Sequence, residues 1–149
     1  MSCNAQNQSS KEEKIRKEVN NEFDKNLSKC SMEVDVVTDF NGKREFWRVC
    51  NLKDNYRIIK IESHIKDTYY QEIYFEKKRD LIYAKETENY MPKNQFTQMA
   101  WNCEFYTKKG ELITLISLGH GKTEDDEWNP EIIFEMYKSR LEELEKIKK

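Results

Sequence analysis

The chain predicts an α+β domain, a curved antiparallel β-meander of about seven strands flanked by N-terminal and C-terminal helices. Three observations carry this. Near the start, Ile15, Val19, Phe23 and Leu27 recur every four residues on an otherwise charged segment. From residue 32 the apolar period falls to two and is broken only by short polar turns. After Asn129-Pro130 the helical period returns, with Ile133, Met136, Tyr137, Leu141, Leu144 and Ile147 on one stripe.

The elements follow in order. Residues 1–9 are rich in Asn, Gln and Ser and read as a flexible polar tether; residues 10–149 read as one domain. Ser9 or Ser10 can cap the first helix, with Glu12 and Glu13 in a first turn whose dipole favours acids. The narrow stripe of that helix suits docking along one seam. Val34, Val36 and Thr38 lead into Asn41-Gly42, a strong hairpin signal, and residues 45–50 return as the second strand. Residues 51–55 form a turn, and 56–65 the third strand, with Ile59 and Ile61 on one face and Ile58 on the other. Asp67 marks the next turn, and residues 68–76 carry Tyr70, Ile73, Tyr74 and Phe75 on both faces. A charged reversal at 77–80 precedes a strand over 81–88, and Asn89-Tyr90-Met91-Pro92 breaks the rhythm. Residues 96–106 then read as a long strand whose Met99, Trp101, Cys103 and Phe105 share a face. Lys108-Lys109-Gly110 turns the chain into 112–118. Asn129 is positioned to cap the last helix, with Pro130 as its first residue.

Composition excludes several classes. Lys and Arg number 26 against 28 Asp and Glu, so no basic field marks a nucleic-acid binder. Aromatic residues at 12%, with clear patterning, argue against intrinsic disorder. No window approaches the roughly 18 apolar residues of a membrane span.

The cysteines are Cys3, Cys30, Cys50 and Cys103, and none forms a C-x-x-C pair. Cys50 and Cys103 sit in apolar strand contexts and read as small buried hydrophobes. His64 and His120 lie in different elements without a ligand partner at short spacing, so no metal or cofactor is expected. His64 reads as a rim residue, and Gly119-His120-Gly121 as punctuation between strand and loop. Glu124-Asp125-Asp126-Glu127 lacks the alternation of a calcium loop and suits the approach to a helix N-terminus. No serine sits in a nucleophile elbow, and no enzyme motif stands out. No catalytic residue is assigned.

Aromatic strand residues supply the candidate binding surface: Trp47, Tyr56, Tyr70, Tyr74, Tyr83, Trp101 and Tyr106. They can equally fill the layer between sheet and helices. If both faces are aromatic and the helices cover one, the other becomes a binding surface or a closed interior.

Ser2-Cys3-Asn4-Ala5-Gln6-Asn7 resembles the mature end of small uncharacterised lipoproteins of Gram-negative envelopes. The resemblance implies that Cys3 is acylated and that the polar segment holds the domain off the membrane. It covers about the first ten residues, and it departs from the pattern in lacking the apolar signal segment ahead of the cysteine. The hairpin from Tyr106 to Ile113 also resembles bacterial meander proteins of unknown function. The expected function is a non-enzymatic envelope lipoprotein that binds a protein partner or a small apolar ligand through its aromatic sheet. Its membrane contact would be the Cys3 anchor alone. Two alternatives stand beside it: a cytosolic interaction module such as an immunity or antitoxin protein, and a lipocalin-like carrier if the strands close into a barrel.

Overall fold

Seven strands pair strictly in chain order, each antiparallel to the next, in an open sheet. In the computed structural model the backbone is described for residues 2–31 and 33–148, and side chains from Gln8 onward, Met32 excepted. The strands are β1 (Val36–Phe40), β2 (Lys43–Asn51), β3 (Tyr56–Ile65), β4 (Thr68–Lys77), β5 (Asp80–Tyr90), β6 (Met99–Lys108) and β7 (Glu111–Gly119). Helix α1 is Ser2–Leu27 and α2 is Ile132–Ile147. The α+β meander is therefore as the sequence predicts. Because β1 and β7 remain unpaired with each other, no barrel closes, and the lipocalin-like reading falls.

Turn chemistry accounts for the register. Asn41 and Gly42 both take positive φ (53° and 77°), the conformation a two-residue hairpin needs. Several boundaries differ from the sequence reading, β5 for one running on through Asn89 and Tyr90, and three of the differences have a clear local cause or consequence. Helix α1 runs through residues 2–9, read as a tether, and past Ser9 and Ser10, so neither caps it. Strand β6 begins at Met99, because Asn94 accepts a bond from the Phe96 N–H and holds Gln95–Thr97 in a tight helical turn. Asn129 caps a turn ahead of α2, accepting from the Glu131 N–H at 3.0 Å, so the helix starts two residues after Pro130.

The helices cover opposite faces, which corrects the expectation that only one face is covered. Helix α2 packs on Trp47, Ile59, Ile61, Tyr74, Ala84, Trp101, Cys103 and Phe105 through Ile133, Leu144 and their neighbours. Helix α1 packs on Ile58, Ile73, Phe75, Tyr83 and Tyr106 through Phe23 and Val19. Arg16 bonds Thr114 on β7, Asn20 accepts from the Tyr106 hydroxyl on β6, and Glu22 accepts from the Tyr56 hydroxyl on β3. Helix α1 thus crosses the strands, and three residues past its end Cys30 is disulfide-bonded to Cys50 on β2. Cys50 is therefore a bonded residue and not a free hydrophobe, whereas Cys103 is free and buried as expected. Burial pushes the Cys103 thiol up to about 12, so it stays protonated and inert.

Candidate functional site

The seven aromatic residues do not form one surface. Trp47, Tyr70, Tyr74 and Trp101 point to the α2 side, and Tyr56, Tyr83 and Tyr106 to the α1 side. Five of them (Trp47, Tyr74, Tyr83, Trp101 and Tyr106) are buried. Their polar atoms are engaged within the fold. Trp47 Nε1 donates to Thr38, Trp101 Nε1 to Ser117 and Thr123, and the Tyr74 hydroxyl to Glu72. Half-buried Tyr56 stacks on Phe75, and half-buried Tyr70 lies under the Lys43 ammonium at 5.5 Å. They fill the layers between sheet and helices. The Cys3 side chain, the expected acylation point, lies outside the described residues.

An open groove of about 970 Å³ runs instead between the β1–β2 hairpin and one side of α2. Ile132, Met136 and Ile147 line it from the helix, Phe40 from the hairpin tip, and Glu45, Glu72 and Arg140 form its floor. The floor is tightly organised. Arg140 Nη1 and Nη2 each bond Glu45, at 2.9 and 2.7 Å, while Nε and Nη2 bond Glu72. Glu143 also accepts from Nη1, and the guanidinium lies 5.4 Å from the Trp47 ring centre. Burial alone would disfavour the Arg140 charge, but the bonds to Glu45 and Glu72 outweigh it and hold its pKa above the usual value. Burial likewise acts to raise Glu45, and the Arg140 bonds and charge overcome it, so its carboxyl is held below the usual value. One cation serves three carboxylates, which leaves this cluster net negative before Lys43 adds its charge from the rim.

Across the sheet the same row carries a second acid. Glu72 on β4 stands directly opposite Glu86 on β5. Two like charges so placed repel, and the fold separates their partners: Arg140 takes Glu72, and Lys122 reaches Glu86 from the loop after β7. Burial raises the Glu86 pKa despite Lys122, and its Oε2 is buried without a hydrogen-bond partner. Among the described residues no three His, Cys, Asp or Glu side chains gather as a metal site. His64 is exposed at the rim against Tyr69. Gly119 takes φ +85°, and a Cβ at Gly121 would stand 2.4 Å from the Trp101 ring, so the glycine pair serves the close strand-to-loop turn.

The sequence reading passed over Arg140, Glu45, Glu72 and Glu86. A signal existed for each. Glu45, Glu72 and Glu86 occupy the same inward phase as Trp47, Tyr74 and Ala84 in their strands, and Arg140 sits on the apolar stripe of α2. A charge in the buried phase of an amphipathic element requires a partner.

The two ends of the sheet differ in chemistry. At one end the turns hold Lys53 to Asn55, Lys78-Arg79 and Lys109-Gly110. At the other, the β1–β2, β3–β4 and β5–β6 connections and the end of β7 expose Phe40, Ile65, Tyr90, Met91, Phe96, Met99 and Leu118. Phe96 is 99% exposed, Phe40 76% and Met91 60%. No helix among the described residues is long and apolar enough to cross a membrane. The chain matches no protein-family model, and no similar curated protein or solved structure was found.

Proposed function

We propose that this protein is a non-enzymatic binding domain of the bacterial cell envelope that holds a small amphipathic ligand in the groove beside α2. The carrying observation is the groove itself: apolar walls from Phe40, Ile132 and Met136 over a preorganised Arg140–Glu45–Glu72 floor. A mostly apolar concavity with a few fixed polar groups is the usual form of a small-molecule site. The net negative floor favours a ligand with a cationic or hydrogen-bond-donating head and an apolar body. The polar groups of the floor are already paired with one another, which suits holding a ligand more than transferring its protons. The Cys30–Cys50 disulfide supports an oxidising compartment, in keeping with a lipid anchor at Cys3.

Titration with a neutral naphthylamine probe tests the site. Saturable binding, weakened about tenfold by Ile132→Glu or Phe40→Glu, is expected from burial of those side chains against the ligand. Non-saturable uptake, or binding indifferent to both substitutions, would contradict it. Fatty-acid labelling in the host tests the anchor, and a label absent from Cys3 removes it. One observation favours a second reading, a cytosolic protein-interaction module: β1 leaves its outer edge unpaired, with Val37 and Phe40 exposed beside it. Rapid alkylation in the host discriminates the two, since free thiols at Cys30 and Cys50 would place the chain in a reducing compartment.

A further inference from the structure

The apolar end of the sheet has a property that the groove does not explain. In a chain in which 36% of residues are charged, residues 89–103 contain a single charge, Lys93. That stretch holds the β5–β6 loop, where Tyr90, Met91, Phe96 and Met99 are all exposed. The loop is ordered by its own bonds. Asn94 Oδ1 accepts from the Phe96 N–H at 3.1 Å, and the Asn94 carbonyl accepts from the Thr97 N–H and hydroxyl. The Gln98 side chain donates to the Pro92 carbonyl, and the Met91 N–H bonds the Asp67 carbonyl of the adjacent turn. Phe96 is therefore presented at the tip of a loop in which several backbone groups already have partners. Moving such a tip out of water costs less than moving a loop without internal bonds, because fewer polar groups lose hydration.

We propose that this end docks onto a phospholipid bilayer, with Phe96 and Met91 entering the headgroup region and Lys93 pairing with lipid phosphate. Two features select a bilayer over a protein or a second copy. The apolar side chains come from separate connections, Phe40, Ile65 and the β5–β6 loop, spread over about four strand spacings, or ~19 Å. The one charge of the 89–103 stretch is the cation Lys93, whereas Lys66 on the β3–β4 turn has Asp67 beside it and Lys43, at the start of β2, pairs with Glu45. Isolated apolar points spread in this way, with a lysine as the one charge of the longest of these connections, suit a fluid interface bearing anionic headgroups, whereas a protein interface needs a continuous packed centre. The inference concerns the loop tip and holds whether or not the groove takes a ligand.

Flotation of the full 149-residue chain, with Cys3 unmodified, on mixed phosphatidylcholine–phosphatidylglycerol vesicles provides the test. Binding of the wild type is expected, with a Phe96→Ser, Met91→Ser variant about tenfold weaker. Lys93→Gln is expected to weaken binding about fivefold on these vesicles and to leave binding to pure phosphatidylcholine unchanged. A wild-type circular dichroism spectrum and urea midpoint in the double variant would show that the fold is intact. Failure of the wild type to float, or equal flotation of the double variant, overturns the proposal. So does a wild-type dimer that the double variant dissolves, which would make a second copy the occupant.

Discussion

The two ends of one sheet are built to different purposes. At the charged end, long-range contacts converge. Arg57 holds Glu76 through two bonds at 2.6 and 2.8 Å, and Tyr137 of α2 donates to the same carboxylate. Asp80 accepts from the Lys109 N–H across two turns, the Tyr56 hydroxyl reaches Glu22 of α1, and Cys30 is linked to Cys50. At the apolar end the β5–β6 loop bonds mainly to itself, and its large side chains face solvent. Stability and surface chemistry are thus spatially divided. The charged end ties both helices to the sheet, Arg140 ties α2 again to Glu45 and Glu72 nearer the β1–β2 hairpin, and the β5–β6 loop at the apolar end is left free to meet something else.

Breaking the lock should produce the largest effect. Glu76 is buried, and Glu76→Ala would leave Arg57 and the Tyr137 hydroxyl without their shared acceptor. A loss of about 3 kcal/mol is expected in urea unfolding, followed by helix-selective loss of packing around Tyr137. A loss below about 1 kcal/mol would show that the charged end is not where the fold is secured.

The buried acids Glu45 and Glu86 on the α2 side of the sheet should then set the response to pH, with opposite signs. Glu45 has a lowered pKa in the fold, so its contribution is present above the ordinary value of 4.5 and is lost as pH falls through its folded value. Glu86 has a raised pKa, so its contribution is full below 4.5 and is lost as pH rises through its folded value. Glu86→Gln should therefore remove a decline in stability on the neutral side while leaving the acid-side decline in place. Urea midpoints measured from acid to neutral pH check this, and an unchanged neutral-side slope would contradict it.

Turn strain provides a smaller effect. Lys78 and Arg79 both sit at positive φ, 51° and 66°, in the β4–β5 hairpin, a conformation better suited to Asn-Gly. Replacing the pair by Asn-Gly should raise stability by about 1 kcal/mol. A destabilised variant would mean that these side chains contribute contacts that outweigh the backbone cost. The smallest effect belongs to the apolar end. Phe96→Ser should change stability by no more than about 0.5 kcal/mol, since the ring touches almost nothing. A substantial loss would show that Phe96 belongs to the core.

The fold was legible in the sequence because local chemistry and global pattern agree. Asn41-Gly42 marks the first hairpin, the period of two fixes β3 at residues 56–65 as observed, and the stripe from Ile133 to Ile147 marks α2. The β6 start was misread because the apolar Phe96 fits a strand alternation, while the Asn94 side chain imposes a turn that alternation does not register. The candidate site was less legible. Aromatic side chains drew attention by size, yet size is what a two-faced core requires, and α1 and α2 each claimed one face. Arg140 and its acids meet across 95 and 68 residues of chain, so their pairing is a property of the fold and not of any local motif. The disulfide joins a helix end to a strand, again without a local spacing signal.

Hydrogen–deuterium exchange of the unmodified chain, with and without anionic vesicles, tests the division between the two ends most directly. Vesicles should slow exchange in residues 39–43, 65–68 and 90–99 and leave the turns at 53–55, 78–79 and 109–110 unchanged. Protection at the charged turns, or no protection at either end, would contradict it.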